Sequence, residues 1–241
     1  MNTVKKVFVA FLLFTQFSCY SEDQVKNDQV IVIPIGAVCT TAAVLDAHGL
    51  RKCAFPFDWN ISKLESIYEL IETDFSEFLK MDNLILGQDG KRILDLHYKM
   101  EFVHDFPVLH HNYNPDLDNN NTIPQGVIRE DFYGYVDNVY EKYLRRIHRF
   151  REALKSDKHV FLIRHDFHSN KEYAEKLYRL IKSKYEDVNL TLVFCSDNQE
   201  MKTSWDLPNI FNFYVPSSGN VSKQKEWTTV LQALNLLPIE E

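Results

Sequence analysis

The feature that most constrains this chain is the alternation of short apolar runs with helix-length amphipathic segments along its second half. His159-Val160-Phe161-Leu162-Ile163-Arg164 reads as a strand, Asn170 to Tyr185 as a helix, and Leu190 to Cys195 as a strand. Asn209 to Val215 follows as a further strand and Ser222 to Leu236 as a helix. Strands separated by helices of that length imply βαβ units and a mostly parallel sheet. The first half opens in the same way. Gln29-Val30-Ile31-Val32-Ile33-Pro34-Ile35-Gly36 is a continuous β-branched run, the pattern of a strand buried on both faces, with Pro34 tolerable near its end. Cys39 to His48 then has helical composition, and Gly49 stands where a left-handed cap is wanted.

Ser62-Lys63-Leu64-Glu65 has the form of a capping box, and Leu64, Ile67, Tyr68, Ile71, Phe75, Phe78 and Leu79 recur behind it at helical spacing. Arg92–Leu96 and Glu101–Phe106 read as short strands around a turn, and the asparagine-rich stretch Pro107–Asp131 as a long loop. Phe132 to Leu154 reads as a second long helix. Lys142, Arg145, Arg146, Arg149, Arg151 and Lys155 form its basic face, expected to be solvated. The expected fold is α/β: a mostly parallel sheet flanked by helices in three layers, with a short hairpin and a long loop insert.

Composition excludes several classes. Hydrophobic residues at 45% and charged residues at 25% are ordinary for a globular domain and rule out disordered, collagen-like and coiled-coil chains. Seven glycines are too few for glycine-rich phosphate loops, and Gly36 lacks the companions of a dinucleotide fingerprint, so no cofactor is expected. A net charge of −7 does not support a nucleic-acid partner.

Residues 1–21 read as an export signal: Lys5 and Lys6, then the apolar run Val7 to Phe14, then Cys19-Tyr20-Ser21 as a small-x-small cleavage site. Eight apolar residues cannot span a bilayer, which takes about 20, so no stable membrane insertion is expected. A lipoprotein site at Cys19 ranks below simple cleavage, because Gln16 and Phe17 replace the small or aliphatic residues it requires. The expected mature protein is one domain, residues 22–241, periplasmic or secreted. It keeps Cys39, Cys53 and Cys195, an odd number that leaves at least one thiol without an intramolecular partner.

In an open α/β sheet the ligand site lies beyond the carboxyl ends of the strands. Those ends carry Cys39, His104 with Asp105, then His165, Asp166 and His168, then Cys195, Ser196 and Asp197. A cysteine at a helix N-terminus has its thiolate favoured by unpaired N–H groups and the helix dipole. The N–H groups of Cys39 and Thr40 would hold an oxyanion, and a nearby imidazole would complete a thiolate–imidazolium pair.

The runs Gly36-Ala37-Val38-Cys39, Gly49-Leu50-Arg51-Lys52 and Phe55-Pro56-Phe57-Asp58-Trp59 resemble the papain-like cysteine peptidase family, a bacterial and viral domain of unknown function. Phe102-Val103-His104-Asp105-Phe106 is similar to its histidine motif, Tyr143 to Phe150 to its arginine-rich helix, and Phe161-Leu162-Ile163-Arg164 and Trp227 also have counterparts. The resemblance implies a nucleophile at Cys39 and a base at His104, and it singles out Asp58, Trp59, Asp105 and Arg164. On one strand His104 and Asp105 point to opposite faces, which makes Asp58 the better orienter of the imidazole. Arg164 either holds a substrate carboxylate or pairs with a buried aspartate.

Two other readings stand beside this one. The first is a metal-dependent hydrolase using His97, His104, Asp105, His110, His111, His165, Asp166 and His168, although none of these falls in a high-specificity ligand spacing. The second is a non-catalytic ligand-binding α/β domain. For the cysteine hydrolase the expected substrate is a peptide or amide-type molecule, with specificity carried by the loop Pro107–Asp131.

Overall fold

The structure, a computed structural model, describes residues 29–109, 126–166, 170–216 and 225–239. The expected export signal with Cys19, most of the long loop with His110 and His111, and His168 lie outside the described residues.

In chain order the elements are β1 (Val30–Pro34), α1 (Thr40–Ala47), β2 (Asn60–Ile61), α2 (Leu64–Glu72), β3 (Leu84–Leu86), β4 (Ile93–Asp95) and β5 (Met100–Phe102). They continue with α3 (Val136–Lys155), β6 (His159–His165), α4 (Lys171–Lys184), β7 (Asn189–Ser196), β8 (Ile210–Tyr214) and α5 (Lys225–Ala233). Strands β1, β6, β7 and β8 form a parallel sheet in that spatial order. Alternate side chains build two cores. Val32, Phe161, Ile163, Val193 and Cys195 pack with Val44 and Leu45 of α1 and Trp227 and Leu231 of α5. Ile33, Val160, Leu162, Leu192 and Phe194 pack on the other face with Ile147 and Phe150 of α3 and Leu177 and Ile181 of α4. Both faces of the sheet are therefore covered, as its continuous apolar strands require.

The expected hairpin is present as β4 and β5, and it belongs to a larger unit. Strands β2, β5, β4 and β3 make an antiparallel sheet in that order, and its buried residues Ile93, Met100 and Phe102 join the α3 side of the core. Two- and three-residue strands carry too few side chains to show a period of two, which is why β2 and β3 are silent in the sequence.

Three local expectations are corrected. First, α2 stops at Glu72 rather than running to Leu79. Thr73 Oγ1 donates to Glu69 O at 2.8 Å, and the chain turns through positive φ at Asp74 (52°) and Phe75 (61°). Phe75 N–H closes the helix onto Leu70 O at 2.8 Å, so Phe75, Phe78 and Leu79 stay buried without being helical. Second, Ser62 is no helix cap: Lys63 occupies the N-cap position, while Ser62 N–H donates to Ala37 O at 2.9 Å. Third, Lys142 and Arg146 do not lie on a solvated face, since both are buried against Asp105. Charged residues four apart share one face of a helix, and here a buried carboxylate draws that face inward.

Candidate functional site

The site begins where β1 ends. Ile35 N–H extends the ladder to Ile163 O at 2.8 Å, and the chain then turns at Gly36 with φ +75°. A side chain is excluded at Gly36, because a Cβ would lie 2.5 Å from Ser62 Oγ. Thr41 Oγ1 donates to Gly36 O and accepts from His165 N–H, each at 3.0 Å, which fastens the first turn of α1 to the end of β6. Cys39 precedes Thr40 with helical dihedrals (φ −61°, ψ −15°), and its carbonyl accepts from Ala43 N–H at 3.0 Å. Residues two apart on a helix point about 200° apart around its axis. With Thr41 directed at β6, Cys39 is therefore directed away from β6.

Beside the turn that leads into Cys39 runs the segment 58–62. Ser62 pairs with Ala37, two residues before Cys39, and Asn60 pairs with Phe102, two residues before His104. One short segment, β2 with the residue after it, thus touches both the cysteine segment and the histidine segment. Trp59, the half-buried residue immediately before it, meets the His104 ring edge-on, with centroids 6.1 Å apart and planes at 90°. No hydrogen bond joins the Cys39 thiol to His104 among the described residues.

The thiol itself departs from expectation. Cys39 is half-buried, and burial pushes its pKa above the ordinary 9.0, with its own backbone N–H opposing less strongly. The helix N-terminus does not ionise this cysteine at rest, so a base must take its proton. Thr40, also half-buried, opens α1 beside it.

The two aspartates take separate places. Asp58 is fully buried. Its Oδ2 accepts from Arg51 Nε at 2.7 Å and from Phe55 N–H at 3.1 Å. Burial raises the Asp58 pKa to about 6 against the opposing charges of Arg51 and Arg146. Asp105 turns away from His104 to α3, meeting Lys142 Nζ at 2.7 Å and Tyr143 OH at 3.0 Å. Burial would raise its pKa, but Lys142 and Arg146 outweigh that and hold it below the usual carboxylate value. β5 ends at Phe102 rather than running to Phe106, so His104 and Asp105 stand at bends beyond it, one against Trp59 and the other against α3.

Arg164 is buried and fully engaged as a brace. It meets Asp166 Oδ2 at 2.6 Å through Nη2 and donates to Ile35 O at 2.7 Å and Ser62 O at 2.8 Å. It thereby clamps the end of β1 to the segment 58–62. Arg51 is the residue that sequence reasoning passed over. It stands in the Gly-Leu-Arg-Lys run, and its guanidinium carbon lies 5.6 Å from the centroid of the Trp59 ring while its Nε holds Asp58. The signal was an arginine seven residues before an aspartate in the same motif block, which has meaning only once the turn between them is folded.

Among the described residues, no group of three or more His, Cys, Asp or Glu side chains is placed to hold a metal ion. His97 sits against Tyr98 and lies 3.8 Å from Glu69. Cys39 and Cys195 are free thiols, Cys195 fully buried. No helix among the described residues is long and apolar enough to cross a membrane.

Comparison with known proteins places this arrangement. The chain is similar to the uncharacterized protein R408 of Acanthamoeba polyphaga mimivirus, 26% identical over 217 residues that cover 78% of this chain and 87% of the viral protein. No solved structure matches. A family whose description reads "Putative papain-like cysteine peptidase (DUF1796)" matches residues 30–198, a span that holds Cys39, Trp59, His104 and Arg164. The chain belongs to that family.

Proposed function

We propose that the protein is a cysteine hydrolase acting on peptide or other amide-type bonds, with Cys39 as nucleophile and His104 as general base. The observation that carries this reading is the shared segment: residues 58–62 pair with the residue two before Cys39 and with the residue two before His104. Because burial keeps the thiol protonated, the base acts as the bond forms: His104 takes the Sγ proton while sulfur attacks the carbonyl carbon. The oxyanion lies against the N–H groups of Cys39 and Thr40 at the start of α1. The imidazolium then protonates the leaving amine, and water, deprotonated by the same ring, releases the acid from the thioester. Trp59 flanks the site as a substrate-side residue in this reading, while Arg164, Asp58 and Asp105 support it through their neighbours.

The reading extends to export of the chain through residues 1–21, checked by N-terminal sequencing of the mature protein. The chemistry is tested by turnover of a panel of fluorogenic peptide and aryl-amide substrates. Cys39→Ala is expected to abolish turnover while leaving the fold intact; chelator-sensitive turnover that survives this substitution supports a metal hydrolase instead. Ligand-induced stabilisation with no turnover supports a non-catalytic binding domain.

A further inference from the structure

We propose that Arg51 is the positioning residue of this site, fixing the Trp59 indole and through it the His104 ring relative to the helix that carries Cys39. The inference deepens the cysteine-hydrolase reading and rests on it. Arg51 has a side chain only 3% exposed, and its Nε, its Nη1 and the face of its guanidinium meet three different neighbours. Nε grips Asp58 Oδ2 at 2.7 Å, and Asp58 is the residue immediately before Trp59. The guanidinium lies over the indole with 5.6 Å from Cζ to the ring centroid. The same indole and the His104 ring meet at right angles, with centroids 6.1 Å apart and planes at 90°. Guanidinium, indole and imidazole therefore form one contiguous row of contacts.

The other end of the brace is α1. Arg51 Nη1 lies 3.5 Å from Asp46 Oδ1, and Arg51 N–H donates to Leu45 O at 3.2 Å, both on the helix that begins beside Cys39. The residue thus couples the cysteine's helix to the histidine's neighbour, and the planar fork lets it do so. A lysine at this position keeps the charge beside Asp58, but its compact ammonium cannot hold a carboxylate and cover an indole together. Asp58 acts in this scheme as the anchor of Arg51, one step removed from the imidazole.

The test reads the second-order rate of iodoacetamide alkylation on the Cys39 peptide of the full chain, by mass spectrometry, in wild type, Arg51→Lys and His104→Gln. It is run at about pH 7.5, where a base must assist, and at the higher pH where the wild-type rate reaches its alkaline plateau and the thiol ionises by itself. Arg51→Lys is expected to slow alkylation roughly tenfold or more at the lower pH, towards the His104→Gln rate, and to leave the higher-pH rate unchanged. An Arg51 that merely balances the Asp58 charge predicts wild-type rates at both pH values in Arg51→Lys, and that result overturns the proposal. An equal loss at both pH values reports altered access to the thiol and also overturns it. Should Arg51→Lys fail to fold, Trp59→Leu takes its place with the same expected selective loss, and a wild-type rate there overturns the proposal. If His104→Gln alone leaves the lower-pH rate unchanged, the cysteine–histidine reading fails instead, and the positioning proposal fails with it.

Discussion

Replacing Lys142 by Met separates a buried ion pair from a solvated helix face, because the two predict very different costs. Lys142 and Asp105 have side chains 0% and 3% exposed, with Nζ and Oδ1 at 2.7 Å. Methionine matches the length of the lysine stem, so little cavity is left and the loss is electrostatic. Removing one member of such a pair strands the other in the interior, at a cost of about 3–5 kcal/mol. For a chain of this size that corresponds to a fall in Tm of roughly 6–20 °C. A surface lysine would cost at most about 0.5 kcal/mol. The pH dependence gives a second handle. Asp105 has its folded pKa held down by Lys142 and Arg146, so its contribution is present above the unfolded value and lost as pH falls through the folded one. Without Lys142 that loss moves to higher pH, and the destabilisation shrinks in acid where Asp105 is protonated. Lys142→Met with Asp105→Asn, neutral on both sides, recovers most of the stability. The assay is urea unfolding of the three variants at several pH values. A single variant within about 1 kcal/mol of wild type, with an unchanged acid limb, would refute the buried pair.

Further expectations follow from the same geometry. Gly36→Ala sets a Cβ 2.5 Å from Ser62 Oγ and 3.1 Å from Arg164 Nη1 at φ +75°, so thermal unfolding should show a loss of at least about 1–3 kcal/mol. Asp58 titrates near 6 when folded against 3.8 otherwise, so the folded state binds the extra proton between those values and stability falls as pH rises through that window. The drop from this group is about 3 kcal/mol, and Asp58→Asn should remove that slope in a pH series of unfolding curves. Cys195 is fully buried with its thiol pushed far up, so peptide mapping after native alkylation should find it unmodified while Cys39 is labelled.

The parallel sheet was legible because its strands are continuous apolar runs and its crossovers are helix-length, a pattern that Val160 to Ile163 and Leu190 to Cys195 carry plainly. The start of α1 was legible from the change in period after Gly36 and from Gly49 at its end, where φ is +67°. What the residues hid was direction. Lys142 and Arg146 look like a solvated stripe until Asp105, some forty positions earlier, is known to face them. Ser62 has the letters of a cap, yet its backbone is taken by Ala37, a long-range pairing that no local pattern announces. In the same way Asp58 reads as a partner for His104, and only the folded Phe55–Asp58 turn shows its oxygen already held by Arg51.

The central claim is that Cys39 attacks an acyl carbon with assistance from His104. It is tested most directly by trapping the acyl-enzyme: the protein is mixed with p-nitrophenyl acetate at neutral pH, quenched in acid and mapped by peptide mass spectrometry. The account predicts acetylation of the Cys39 peptide in wild type, strongly slowed in His104→Gln and absent in Cys39→Ala. Acetyl groups on lysines or Cys53 alone, or a Cys39 adduct that forms equally fast without His104, would contradict it.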